Sequence, residues 1–253
     1  MVNKTAIYVL WLREMKKFFR VKSRIFGTLA MPLFFLVFLG FGFKNMPLTG
    51  FSEDISYINF LIPGIIGMNM LFTSMFAGIS VLWDREFGFL KEIMVAPVDR
   101  ISIVIGRILG GITTGLIQGT LILLISMLFG FKINLLTLLI GIVFMIFIAA
   151  TFIGLGLVIA SRMRDMQGFN LIMNFVIFPL FFLSGALSPL NNLPLAVRAI
   201  SHLDPLTYGV DGMRGVFLGA SSMPVILDFA VLVGCSMIMV FLGAYFFEKS
   251  ESV

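Results

Sequence analysis

Long apolar runs broken by short polar stretches are the dominant pattern along the chain. A helix rises about 1.5 Å per residue, so roughly 30 Å of hydrocarbon takes about 20 consecutive apolar residues. Six stretches reach or approach that length: residues 25–43, 58–82, 101–129, 135–160, 169–187 and 225–247. The first starts too late for the apolar part of a signal peptide and runs into Lys44-Asn45-Met46-Pro47 with no small-residue cleavage pattern, which predicts an uncleaved span.

Six spans place both termini on one side. Of the eighteen Lys and Arg residues, fourteen fall on that side, seven of them before residue 25, and only Lys44, Lys132, Arg198 and Arg214 on the other. The asymmetry predicts cytoplasmic termini. Within residues 1–24, Ile7, Trp11, Met15 and Phe18 recur at spacings of three and four, with Arg13, Lys16, Lys17 and Arg20 opposite them. That is the pattern of an amphipathic helix in the membrane interface, serving either as an anchor or as a contact for a partner.

The connection between the second and third spans, residues 83–100, is too polar for the bilayer. It predicts a short cytoplasmic helix around residues 86–95, ended by Ala96-Pro97. Phe87, Leu90 and Met94 would rest on the ends of the spans, leaving Arg85, Glu86, Lys91 and Glu92 outward; Gly88 permits close approach of a neighbouring backbone, and Asp99 is placed to cap the next helix.

The third span holds Gly106, Gly110, Gly111, Gly115 and Gly119 at Gly-x-x-x-Gly spacing, suited to close helix packing within one subunit or at a dimer seam. Asn69, Thr73, Ser74, Thr113, Thr114, Gln118, Thr151 and Asn174 are polar residues inside apolar spans, either bonding between helices or lining a route. A route without fixed charge suits an amphiphile or a neutral polar chain better than a free ion. After the fifth span, Pro189, Pro194 and Pro205 interrupt a largely apolar stretch, predicting two short re-entrant helices at residues 193–201 and 206–218. Tyr208, Asp211 and Arg214 share the second piece, where an Asp211–Arg214 pair is geometrically possible. His202, the one histidine, reads as a hydrogen-bonded packing residue, there being no second ligand cluster beside it.

Composition agrees: 59% hydrophobic and 12% charged residues, with a mean hydropathy of +1.07, exclude a large soluble domain. The net charge of +5 is explained by orientation and anionic lipid without nucleic acid. A single cysteine, Cys235, rules out a disulfide framework within the chain.

Residues 86–100, Glu86-Phe87-Gly88-Phe89-Leu90-Lys91-Glu92 and then Val95-Ala96-Pro97-Val98-Asp99-Arg100, resemble the cytoplasmic connection of type-two ABC exporter permeases. Residues 181–219, from Ser184-Gly185 to Asp204-Pro205-Leu206-Thr207-Tyr208, look like the same family's outer segment. The likeness spans nearly the whole chain and is nearest the short daunorubicin-resistance and nodulation-factor permeases. It implies an all-α integral membrane protein organised as an interfacial helix (1–24), spans one and two (25–82), a coupling helix (83–100), spans three to five (101–187), an outer re-entrant segment (188–222) and span six (223–253).

It further implies that Arg85, Glu86, Phe87, Gly88, Leu90, Lys91, Glu92, Ala96, Pro97 and Arg100 dock on an ATP-hydrolysing partner. Pro189, Pro194, His202, Asp204, Pro205, Tyr208, Asp211 and Arg214 would form an outer gate for lipid-like cargo. No Gly-Lys dipeptide occurs, so no P-loop is present; ATP and Mg belong to a separate ABC ATPase subunit, two copies of which would serve two permease subunits as a homo- or heterodimer. The chain itself is expected to be no enzyme, to hold no cofactor or metal, and to act in the cell membrane. A proton-coupled carrier is the alternative, weakened by the lack of Asp or Glu in the interiors of the first five spans; Asp228 in the sixth reads as a first-turn or interfacial residue.

Overall fold

The computed structural model describes residues 3–43, 55–87, 99–163 and 165–250. Among these there is no strand; the elements are α1 (Lys4–Arg20), α2 (Lys22–Gly42), α3 (Tyr57–Ala77), α4 (Ile79–Glu86), α5 (Arg100–Ser126), α6 (Leu135–Arg162), α7 (Met166–Leu183), α8 (Leu195–Ser201), α9 (Pro205–Leu218) and α10 (Val225–Ser250), with single 3-10 turns at Met127–Phe129 and Leu190–Asn192. Among the described residues, five stretches are long and apolar enough to cross a membrane: Tyr57–Asp84, Ile101–Phe129, Leu135–Arg162, Met166–Leu183 and Val225–Lys249. The expected first span is shorter, with its apolar part at Phe26–Gly42, about 25 Å of helix.

Polar side chains set several helix ends. Asn3 accepts from the N–H groups of Thr5 and Ala6 to open α1. Asn134 and Thr137 form a reciprocal capping box at α6. The prolines act as expected beyond α7: Pro189 and Pro194 precede the second 3-10 turn and α8, and Pro205 is the first residue of α9, where its missing N–H has no helical partner to lose. Two expected spans differ in detail. The fifth ends at Leu183 rather than residue 187, because Ser184 closes the helix and Gly185 turns with φ +70°. The second is broken at Gly78 into α3 and α4.

That break follows from packing. A Cβ on Gly78 would lie 2.6 Å from the carbonyl oxygen of Gly156, and one on Gly156 would lie 2.5 Å from that of Met75. The two backbones touch, with no side chain between them. The same occurs where α6 meets α10: a Cβ on Gly154 would sit 2.5 Å from the Met239 carbonyl carbon, and one on Gly243 would sit 2.9 Å from the Gly154 oxygen.

The α3–α4 span and α6 form the centre, 65% and 61% buried over their apolar windows, whereas α7 and α10 are only 22% and 17% buried and present their apolar faces outward. The glycines of α5 work within the subunit. Gly106 and Gly110 receive Leu10 and Glu14 of α1, Gly111 meets Ile153 of α6, and Gly115 and Gly119 receive Met70 of α3. Small residues therefore seat α1 on one side of α5 and the central pair on the other.

Gly154→Leu is expected to lower the midpoint of thermal unfolding in detergent, overpacking of this kind costing about 1–3 kcal/mol. Gly234→Leu, where a Cβ meets nothing within 4 Å, is the matched control and should melt like the parent.

Candidate functional site at the inner end of the bundle

Asp84 lies where the second span ends and the polar connection of residues 83–100 begins, and it is buried. Its carboxylate is shared by two guanidinium groups. Arg13 of α1 donates from both terminal nitrogens, Nη2 to Oδ1 at 2.6 Å and Nη1 to Oδ2 at 3.0 Å; Arg107 of α5 donates from Nη2 to Oδ2 at 2.7 Å. The Asp84 hydrogen bond pushes the Arg13 guanidinium above its ordinary value, against the lowering effect of burial. Arg107 is buried as deeply as Asp84, each side chain 6% exposed, and its guanidinium lies 5.7 Å from the Phe247 ring of α10. Beside the cluster, the Lys17 ammonium sits 4.9 Å from the Trp83 ring.

These contacts join four elements at the root of the polar connection. Neighbouring bonds reinforce them: the Asn3 N–H donates to Ser102 Oγ at 2.9 Å and Trp11 Nε1 donates to Thr113 Oγ1 at 3.0 Å, so α1 is fixed to α5 along its length. The buried residues of α1 are Leu10, Met15 and Phe18; of the expected apolar stripe, Ile7 and Trp11 are only half-buried. Asp84 and Arg107 were not singled out by motif, but Arg107 lies about two turns inside an apolar helix, where a charge persists only with a counter-charge at its depth. That rule is the one signal in the sequence that a counter-charge must lie nearby, and the structure identifies it as Asp84 at the end of the neighbouring span.

The expected docking residues divide. Arg85 and Glu86 are the last residues of α4, Arg100 is the first of α5, and Phe87 follows α4. Gly88, Leu90, Lys91, Glu92, Ala96 and Pro97, and with them the expected helix at 86–95 beyond Glu86, lie outside the described residues. Phe87 does not rest on the span ends: it is 78% exposed, having passed the end of the helix. Asp99 takes the N-cap position of α5, but the Ser102 N–H donates to its backbone carbonyl at 2.9 Å rather than to its side chain.

A cavity of about 280 Å³ lies next to the charged cluster, between α1, α2, α3, α4 and α5. Thr73 donates to Gln118 Oε1 at 2.8 Å across it. Asn69, Thr114 and Arg107 also face it, so part of the polar set read from the spans gathers here. Thr151 instead bonds to the Phe147 carbonyl of its own helix, and Asn174 is exposed on the outer face of α7.

The outer residues form a separate group. Tyr57 Oη donates to the Leu187 carbonyl at 3.0 Å. Arg214 is buried 3.6 Å over the Phe60 ring and donates to the carbonyls of Phe60 at 3.2 Å and Ala186 at 2.9 Å. The Asp211–Arg214 pair that the spacing allows is not formed: Asp211 accepts from the N–H groups of Ser222 and Met223 and so ties α9 to the loop before α10. Asp204 caps α9 through the Leu206 N–H at 2.9 Å, and burial pushes its carboxyl up to about 7. Tyr208 Oη donates to the His202 carbonyl at 2.8 Å, which holds α8 against α9. Asp228 is in the first turn of α10, fully buried, with neither carboxylate oxygen hydrogen-bonded.

The sequence pattern of the ABC-2 type transporter matches residues 5–218. The chain is 30% identical over 234 residues to the inner membrane transport permease YadH of Escherichia coli strain K12, covering 90% of this chain and 89% of that one. The Shigella flexneri protein of the same name gives the same figures. Nodulation protein J of Rhizobium leguminosarum bv. viciae is 29% identical over 212 residues, covering 83% and 81%. With its apolar helices, these likenesses establish that the chain belongs to the ABC-2 type transporter family, as a multi-pass membrane permease subunit of an ABC transporter.

Proposed function

We propose that this chain is the translocating subunit of an ATP-driven exporter of an amphiphilic or polymeric substrate, such as a drug or a lipid-linked glycan. The observation that carries the mechanism is the Arg13–Asp84–Arg107 cluster. Two ATPase subunits dock on the polar connection from residue 85 to residue 100, in the cytoplasm. Their movement on binding ATP and Mg reaches Asp84 within one helical turn, and Asp84 hands it to α1, α5 and, through Phe247, α10. Cargo then crosses at the seam between this chain and a second permease subunit, a like copy or a different one. The exposed Asn174 on α7 supports that seam, since an amide facing hydrocarbon is costly and one facing a partner or cargo is not. The short helices α8 and α9 are re-entrant on the outer side and gate the exit. Both termini are cytoplasmic, as the distribution of Lys and Arg supports.

A proton-coupled carrier has one observation in its favour, the fully buried Asp228 with unbonded carboxylate oxygens. The exporter reading expects Asp228→Asn to keep ATP-driven activity in reconstituted vesicles and expects a collapsed proton gradient to leave that activity unchanged. Transport without ATP that stops with the gradient would reverse the choice.

Removing one partner of a buried ion pair costs about 3–5 kcal/mol, so Asp84→Ala is expected to lower thermal stability in detergent clearly more than Arg13→Gln, which removes a partly exposed partner. Coupling is tested separately. With Cys235 replaced by Ser, Asn174→Cys reports on the seam through its reactivity with a membrane-impermeant maleimide. Trapping the complex with nucleotide should change that reactivity, and adding Glu86→Arg or Gly88→Trp should abolish the change while membrane insertion stays intact. A change that persists in both variants rejects the docking role.

A further inference from the structure

Three buried carboxyls meet where α9 packs on α10, and among the described residues none of them forms an ion pair. Glycine contacts fix the register. A Cβ on Gly209 would lie 3.9 Å from Leu232 Cδ2, and one on Gly215 would strike Val225, so the two helices run antiparallel. On α9, Asp204, Tyr208 and Asp211 recur at spacings of four and three and share one face; on α10, Asp228 and Cys235 are seven positions apart and share another. The register sets Asp228 beside Asp211 and Tyr208, and Cys235 beside Asp204.

The three differ in what they accept. Asp211 takes N–H bonds from Ser222 and Met223 on both oxygens, Asp204 takes one from Leu206 and has an unbonded Oδ2, and Asp228, 0% exposed, takes none on either oxygen. The surroundings offer no cation to the last two. α6 brings Phe144, Phe147 and Ile148 to this level, its one titratable residue, Arg162, lying at its far end. Arg214 of α9 is committed to the carbonyls of Phe60 and Ala186, beside Tyr57 of α3. His202, at the end of α8, accepts on its carbonyl from Tyr208. A second carboxylate charge beside Asp211, in so apolar a surround, is expensive, whereas an uncharged carboxyl there costs far less.

We propose that the α9–α10 seam is a proton-operated latch, closed while Asp204 and Asp228 are uncharged and released when they ionise beside Asp211, which frees α9 from α10. The direction follows from linkage. Burial pushes the Asp204 carboxyl up to about 7, above the roughly 4 of an open aspartate, so the closed seam holds a proton that the open one gives up. The stability this lends is full below about 4 and is lost as the pH rises through about 7. The proton sets the position of α9 and drives no transport. That a freed α9 opens the exit rests on the reading of α8 and α9 as a gate; the latch itself needs neither nucleotide nor cargo, so its failure leaves the exporter reading intact.

The full chain in dodecyl maltoside is followed by amide hydrogen exchange over residues 205–235, with the parent, Asp204→Asn and Asp228→Asn compared at the same pH so that the intrinsic pH dependence of exchange cancels. At about pH 5 the three should exchange alike. At about pH 8.5 the parent should exchange about tenfold or more faster than either variant, with no such divergence over α1 at the other end of the bundle. Equal exchange of the parent and both variants at the higher pH overturns the latch. A difference already present at the lower pH and constant across the range assigns these residues to packing alone and overturns it too. An asparagine at 204 keeps an oxygen for the Leu206 N–H, so if Asp228→Asn does not melt cooperatively, Asp204→Asn decides by the same comparison.

Discussion

A carboxylate removed from water at the inner end of the bundle is the constraint around which the rest is arranged. Two guanidinium groups converge on Asp84 there, and each comes from a different part of the chain, one of them 71 positions away. The arrangement is costly to form and more costly to leave half-formed. It therefore specifies a geometry, holding the interfacial helix, the end of the second span and the third span in one register. Non-directional apolar packing among lipid-like side chains would not achieve this, since lipid offers the same contacts.

The glycines complement it. They let α1 sink onto α5, so that Trp11 reaches Thr113 and Arg13 reaches Asp84. A basic amphipathic segment on a membrane surface would ordinarily be a loosely held anchor. Here its apolar stripe and its N-terminal cap are committed to the third span and Arg13 to the end of the second, so it belongs to the transmembrane body. The outer end uses other means: Arg214 and Tyr57 donate to the carbonyls of Ala186 and Leu187, past the end of α7, and Asp211 and Asp204 accept from N–H groups at helix and loop starts. Charges at that end satisfy irregular backbone, and charges at the inner end satisfy each other.

Much of this was legible from residue order. Apolar run length located the spans because the bilayer imposes one length on all of them, and the prolines at 189, 194 and 205 located the outer breaks because a missing N–H costs least at a helix start. What escaped was pairing at a distance. Asp211 and Arg214 are one turn apart, which made a local pair natural, but each found an unsatisfied backbone group from another segment, and neighbours in sequence did not compete well with those. The break at Gly78 escaped for a related reason: a lone glycine in an apolar run has no visible consequence until its counterpart, Gly156, is known to touch it. The Asp84 cluster was half-visible, since a buried arginine demands an anion, but which anion depended on how the hairpin folds back.

The contacts at Gly78 with Gly156 and at Gly154 with Gly243 bear on how movement travels through such a body. Side chains absorb displacement by changing rotamer, so an interface built from long ones behaves like a cushion. Where main chain rests on main chain there is no such slack, and any shift of α4 has to be matched by α6, and any shift of α6 by α10. The bundle is in this respect a train of stiff gears, in which a stroke delivered at one face arrives at the far helix with little of it lost on the way.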